Sequence, residues 1–366
     1  MRRRARQLLA VVALVLAAGG VLVTGCTTVN PYYDPARAHH RPDGFQNVDP
    51  MARMPRPFGE FFRWQRERQT LQIPAPKLDL AAIAPDLGFI RGRGNHFSVT
   101  WIGHATALVR IGHTNVLTDP HFSERASPVQ WAGPQRWQPP ALRIDELPRI
   151  DVVLISHNHY DHLDENSVRA LNAQQGGPPL FVVPLGIERW LAGVGITNTR
   201  TLDWWDSLRI GEVTVHLTPV QHWSRRTLAD TNTTLWGGFV VEGESRGKPR
   251  RVFFSGDTGY SKRHFREIGE RFGGFDLALI PIGAYEPRWF MSAQHVDPQE
   301  AVRIHRDIGA RLSVGIHWGT FQLTDEPLDQ AATDLAAARE KLGVGSGEFV
   351  TLRHGQTLRL DAAEPS

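Results

Sequence analysis

The chain has 366 residues, 41% of them hydrophobic and 22% charged, a balance that accommodates a sizeable core and excludes disordered, collagen-like and disulfide-rich classes. Its formal charge of +3 resides at the N-terminus: Arg2, Arg3, Arg4 and Arg6 supply four of the 41 basic residues, and without residues 1–25, which hold no acid, the 38 acids outnumber the bases by one. No electrostatic footprint for nucleic acid is left, and the single cysteine, Cys26, rules out intramolecular disulfides and cysteine metal ligands in the folded body.

In chain order, "MRRRARQ" is a positive n-region, "LLAVVALVLAAGGVLVT" a short apolar segment, and "VTGC" ends on a small residue before Cys26. This resembles a bacterial lipoprotein signal, with residues 1–25 removed and Cys26 lipidated. The alternative is an uncleaved anchor, since about 17 apolar residues lie near the lower limit of a span. Both place the body in the cell envelope, membrane-anchored and facing outside the cytoplasm; Thr27, in place of an aspartate, leans towards the outer membrane of a Gram-negative source. Residues 26–57, rich in proline and polar side chains, are expected to be the lipidated tether. Residues 58–95 form a helical extension packed on the core: "FGEFFRWQRERQ" sets Phe58, Phe61, Phe62 and Gln65 at helical spacing.

From residue 96 to 366 the pattern changes. Short β-branched or apolar runs ("HFSVTWI", "TALVRIG", "NVLTD", "DVVLIS", "LFVVP", "VTVHLTPV", "GGFVVEG", "RVFFSGD", "LALIPIG", "RLSVGIHW") alternate with turns. Helical patterns such as "DENSVRALNAQ", "DPQEAVRIHRDIG" and "LDQAATDLAAAREKLG" intervene. Hairpin-like spacing early and βα alternation later predict an α/β fold of two packed sheets with helices outside, in one catalytic domain.

The segment "ISHNHYDHLD" carries the chemistry. Residues two apart on extended backbone point the same way, so His157 and His159 can reach one metal just past the strand "DVVLI", and Asp161 and His162, after the turn, a second. Imidazoles and carboxylate at this spacing have little purely structural use. Further ligands are expected at strand ends, and His222, Asp257 and His317 each follow an apolar run.

The order H-x-H-x-D-H, then His, Asp and His, resembles the metallo-β-lactamase superfamily. The segments "NHYDHLD", "SGDTGY", "AYEPRWFM", "QHVDP" and "IHWGTF" are similar to its branch of phospholipases D that hydrolyse N-acyl-phosphatidylethanolamine. The resemblance implies an αββα sandwich of two mixed sheets with outer helices. It implies two Zn2+, one held by His157, His159 and His222, the other by Asp161, His162 and His317, with Asp257 bridging; iron or manganese also suit such ligands. A hydroxide shared by the ions would attack a phosphodiester, with Asp257 and Asp161 as the catalytic carboxylates. Tyr160, Gln294 and His295 are then expected at the substrate, His295 being equally well placed to orient a carboxylate ligand. Asp119 and His104 match family motifs and read as buried supports rather than ligands, while His121, His216, His264, His305 and His354 stand outside any constellation.

The expected reaction is phospholipase D-type hydrolysis of N-acyl-phosphatidylethanolamine to N-acylethanolamine and phosphatidic acid, with the phospholipid and the membrane at Cys26 as partners and room for a homo-oligomer. The alternatives are opening of a lactone or other cyclic ester or amide by the same metals, which a polar pocket would favour, and a non-catalytic envelope binding protein, against which the full ligand set argues.

Overall fold

A computed structural model describes residues 29–49, 56–78 and 80–361; the lipoprotein leader and Cys26 lie outside them. Among the described residues no helix is long and apolar enough to cross a membrane. A two-stranded hairpin, β1 (His40–Arg41) and β2 (Gly44–Phe45), precedes two seven-stranded sheets. The first holds β3 (His96–Gly103), β4 (Thr106–Gly112), β5 (Thr114–Thr118), β6 (Val152–Leu154), β7 (Leu180–Pro184) and β8 (Thr199–Leu202). The second holds β9 (Ser207–Ile210), β10 (Val213–Thr218), β11 (Gly238–Ser245), β12 (Lys248–Phe254), β13 (Leu277–Pro281), β14 (Ser313–Ile316) and β15 (Phe349–Thr351). The last strand, β16 (Thr357–Arg359), returns to the first sheet beside β3.

Each sheet is mixed in the same way. Antiparallel neighbours β3-β4-β5 and β9-β10-β11-β12 come first, then parallel β5-β6-β7-β8 and β12-β13-β14-β15. Parallel pairs need crossovers, and helices supply most of them. In chain order the helices are α1 (Phe58–Arg68), α2 (Leu87–Arg91), α3 (Glu165–Asn172), α4 (Ile187–Gly193), α5 (Lys262–Phe272), α6 (Arg288–Met291), α7 (Pro298–Asp307) and α8 (Gln330–Leu342). This is the expected sandwich, and the period-2 pattern explains it. Val152 and Leu154 of β6 face the core between the sheets while Val153 faces the cluster under α3 and α4; Val182 of β7 alternates in the same way with Phe181 and Val183. Both faces of this sheet are therefore buried, which is why its parallel strands read as continuous apolar runs.

Two expectations need correction. Residues 29–49, read as part of a tether, are packed on the body: Phe45 is fully buried, and Asp203 accepts from His39 Nε2 at 2.6 Å, His40 Nε2 at 2.8 Å and Arg37 Nη1 at 2.7 Å. The proline and polar content conceals a strap whose histidines and arginine are donors to one buried carboxylate. Helix α1 forms as expected, but it packs through Trp64, stacked on Phe290 at 5.1 Å with its Nε1 donating to Asp325, while Phe58 and Phe62 face outward.

Candidate metal centre

The site is built from loops that follow interior strands of both sheets. The first sheet contributes the loop after β6, with His157, His159, Asp161 and His162; the second contributes His222 after β10, Asp257 after β12 and His317 directly after β14. The two loops touch at Gly256, where φ is +59° and a Cβ would lie 2.4 Å from that of Ser156, so only glycine allows this approach. His317, with φ of 64°, and His104, with φ of 53°, bend the chain at the ends of β14 and β3, and the His317 N–H donates to the His104 carbonyl at 2.9 Å. Non-glycine residues in this region store about 1–3 kcal/mol each, a cost typical of functional sites.

Two groups of donors converge. His157 Nε2 lies 2.8 Å from His159 Nδ1, which is 3.2 Å from His222 Nε2. Beside them, Asp161 Oδ2 lies 3.3 Å from both His162 Nε2 and His317 Nε2. Asp257 spans the groups, with Oδ2 3.1 Å from His162 Nε2 and 3.9 Å from His222 Nε2, and Oδ1 3.2 Å from His317 Nε2. All seven sequence-predicted ligand candidates are thus in one place.

The outer ring nitrogens define what the inner ones do. Ser156 Oγ–H donates to Asp119 Oδ2 at 2.5 Å, so its oxygen accepts Nδ1–H of His157 at 2.9 Å, and His222 Nδ1–H donates to the Gln294 carbonyl at 3.0 Å. Both rings therefore turn an Nε2 lone pair inward. Burial holds His157 far below the ordinary histidine value and brings His159 and His222 down to about 3, so all three are neutral. A single Nδ1–H on His159 could satisfy only one of the two Nε2 lone pairs that face it, whereas a cation takes all three nitrogens at once. In the second group burial disfavours charge, yet Asp257, Asp161 and Asp119 raise His162 well above its usual value, and Asp257 and Asp161 bring His317 to about 9. Burial likewise opposes ionisation of Asp161 and Asp257, but the His162 charge beside them keeps both well below the usual carboxylate range. The residues fit two metal ions, whose charge would replace the protons on His162 and His317.

Asp119 and His104 act as supports. Asp119 accepts from His162 Nδ1 at 2.6 Å and from the Ser156 N–H at 2.7 Å, and burial raises its pKa. His104 lies 3.0 Å from Asp161 Oδ2 through Nε2. His295 faces the centre, Nδ1 3.8 Å from Asp257 Oδ2, and burial lowers its pKa to about 3. Gln294 is buried, its Nε2 on Met291 Sδ at 3.2 Å and its Oε1 without a hydrogen-bond partner. Tyr160 points into the wall, its hydroxyl donating to the Arg226 carbonyl at 3.0 Å. His216, His305 and His354 are paired elsewhere, with Glu242, Ser313 and Thr320, and His264 packs near Trp204.

Three participants were not anticipated from sequence. Ser156 relays Asp119 to His157, and only its place directly before the motif hints at this. Arg226 lies between the rings of Tyr160, at 4.1 Å, and Trp190, at 4.4 Å, and donates to the carbonyls of Asn158 and Leu163, bracing the motif loop. Asn47 contacts the backbone of His222. A further His39, His40 and Asp203 cluster lies apart from the centre; its carboxylate is already saturated by Arg37 and the Trp204 N–H.

Comparison with known proteins agrees with this geometry. Residues 114–318, more than half the chain, match the family described as Beta-lactamase superfamily domain. The chain is 43% identical over 271 residues to N-acyl-phosphatidylethanolamine-hydrolyzing phospholipase D 1 of Caenorhabditis elegans, covering 70% of this chain and 74% of that one. It is 39% identical over 232 residues to the mitochondrial N-acyl-phosphatidylethanolamine-hydrolyzing phospholipase D of Saccharomyces cerevisiae, covering 62% of this chain and 48% of that one. Among solved structures, a metallo hydrolase from Ignicoccus hospitalis superposes with a TM-score of 0.53 at 18% identity, over 72% of this chain and 97% of that one, which bears on the fold alone. The chain belongs to the beta-lactamase superfamily, as one of its metal-dependent hydrolases.

Proposed function

We propose that this chain is a membrane-tethered, dinuclear zinc phosphodiesterase that hydrolyses N-acyl-phosphatidylethanolamine to N-acylethanolamine and phosphatidic acid. The observation that carries this reading is the joining of two donor sets through Asp257, in a chain 43% identical to a relative named for that reaction. His157, His159 and His222 would hold one ion, Asp161, His162 and His317 the other, and Asp257 both; iron or manganese would also suit these donors. When bound, the ions supply Lewis acidity to phosphoryl oxygens and make water a nucleophile near neutral pH.

The chain's own residues do the rest. Asp257 Oδ2 lies between His162 and His222, one from each donor set, while its Oδ1 faces His317, and His104 holds the Asp161 carboxylate in line. Gln294 Oε1 and His295 Nδ1, buried and without hydrogen-bond partners, are free to meet the substrate's head group, and Tyr160, held by its hydroxyl on the Arg226 carbonyl, would line the cleft. In the reaction the oxygen of water bonds to phosphorus as the bond from phosphorus to the ethanolamine oxygen breaks, and that oxygen leaves with a proton. Lipidated Cys26 would keep the body at an envelope membrane, outside the cytoplasm. The outward side chains of Phe58, Phe62, Trp131 and Trp137 support contact with lipid.

The test is to load protein lacking residues 1–26 with zinc, offer N-acyl-phosphatidylethanolamine in mixed micelles and read the products by mass, with Asp257→Asn as control. Both products appearing only with the unsubstituted chain supports the reading. Two bound ions without turnover moves the substrate to cyclic esters or amides.

A further inference from the structure

We infer that the N-terminal strap, residues 29–49, is part of the metal centre, and that Asn47 is a positioning residue for His222. The inference rests on the reading of His222 as a ligand. His222 lies beyond the end of β10 at Thr218, where no ladder partner fixes its backbone. Its neighbour Gln221 is held by the Asp257 loop, through the Thr258 Oγ1 at 3.0 Å and the Gly259 N–H at 2.8 Å. His222 itself is held by Asn47: Nδ2 donates to its carbonyl at 2.8 Å, and Oδ1 accepts its N–H at 3.2 Å. One side chain thus does for residue 222 what an adjacent strand would do, satisfying both backbone groups. Beyond the backbone, the Gln294 carbonyl is the partner on the outer side of the imidazole, while its inner side faces the other donors, His159 Nδ1 at 3.2 Å and Asp257 Oδ2 at 3.9 Å.

The strap that carries Asn47 is fastened at several points, all away from the donors. The Phe45 N–H donates to the Asn232 carbonyl at 2.8 Å, and the Asn232 N–H to the Ser224 carbonyl at 2.8 Å, so the strap lies along the same loop that follows His222. Asn30 Nδ2 ties the hairpin from inside through the Gly44 carbonyl at 2.8 Å. His39, His40 and Arg37 then close on Asp203 in the turn after β8. Docking of the strap therefore sets the position of His222, one donor of the first set.

The test is a zinc titration of the full-length protein in detergent, stripped of metal, with cobalt substitution as the spectroscopic readout. Groups that orient a ligand are worth about 10- to 100-fold in metal affinity when removed. Asn47→Ala is expected to weaken one of the two ions by about that factor and to change the cobalt absorption of that site, leaving the other intact. Asn47→Asp, which keeps the acceptor and loses the donor, is expected to weaken the same ion. The double variant His39→Ala/His40→Ala, which touches no donor, should free the strap to trypsin at Arg37 and Arg41 and lower affinity at the same single site. Unchanged affinities in Asn47→Ala, a parallel loss of both ions, or a freed strap with full affinity would overturn the inference. Fewer than two ions on the unsubstituted chain would instead overturn the reading of the centre itself.

Discussion

Asp119 reaches the centre only from the outer side of the rings, yet it organises both groups. Its Oδ2 accepts from His162 Nδ1 at 2.6 Å and from Ser156 Oγ at 2.5 Å, and Ser156 in turn takes the Nδ1 proton of His157. Asp119→Asn keeps the shape and the acceptor for the Ser156 N–H but sets an amide donor against a ring N–H or a hydroxyl. At least one short charge-assisted bond is then lost, about 1.5–3 kcal/mol, equivalent to about 10- to 150-fold in an equilibrium constant. Because His162 belongs to one donor set and His157 to the other, both ions are expected to weaken, in contrast to the single-site effect of Asn47→Ala. Zinc competition against a chromophoric chelator measures each affinity separately. Affinities within threefold of the unsubstituted protein would refute the argument that Asp119 sets the ring orientations.

Three further outcomes are expected. Zinc loading near pH 7 should release one proton each from His162 and His317, since both are held protonated by their carboxylate neighbours when no metal is bound; titration calorimetry in buffers of different ionisation enthalpy reads this, and a buffer-independent heat would contradict it. In the metal-free protein the raised His317 contributes stability that is complete below its ordinary value of 6.5 and fades as pH rises through about 9, so thermal unfolding of that form should move to lower temperature over this window. Arg226→Ala removes two carbonyl contacts and the packing of a cation between two rings, and should cost about 2–4 kcal/mol in denaturant unfolding; a loss below about 0.5 kcal/mol would mean that the motif loop does not need this brace.

Much of this was legible before any coordinates. Strands such as β6 and β7 announce themselves as apolar runs because both faces are buried, and His157, His159, Asp161 and His162 are close in sequence, so local geometry alone brings them to one place. The strap was misread for an equally physical reason. Its anchors, Arg37, His39 and His40, look like solvated polar residues until Asp203, far along the chain, is placed beside them.

The sequence by itself determined which residues carry metal-seeking chemistry and which strands they follow. Only the tertiary structure decided that His222, Asp257 and His317 of the second sheet meet the motif of the first, because that depends on how two sheets pack and on the bends at His104, Gly256 and His317. It also decided which nitrogen of His157, His162 and His222 faces inward, since a tautomer follows from the partner on the opposite side of the ring, and Ser156, Asp119 and the Gln294 carbonyl become partners only in the folded chain.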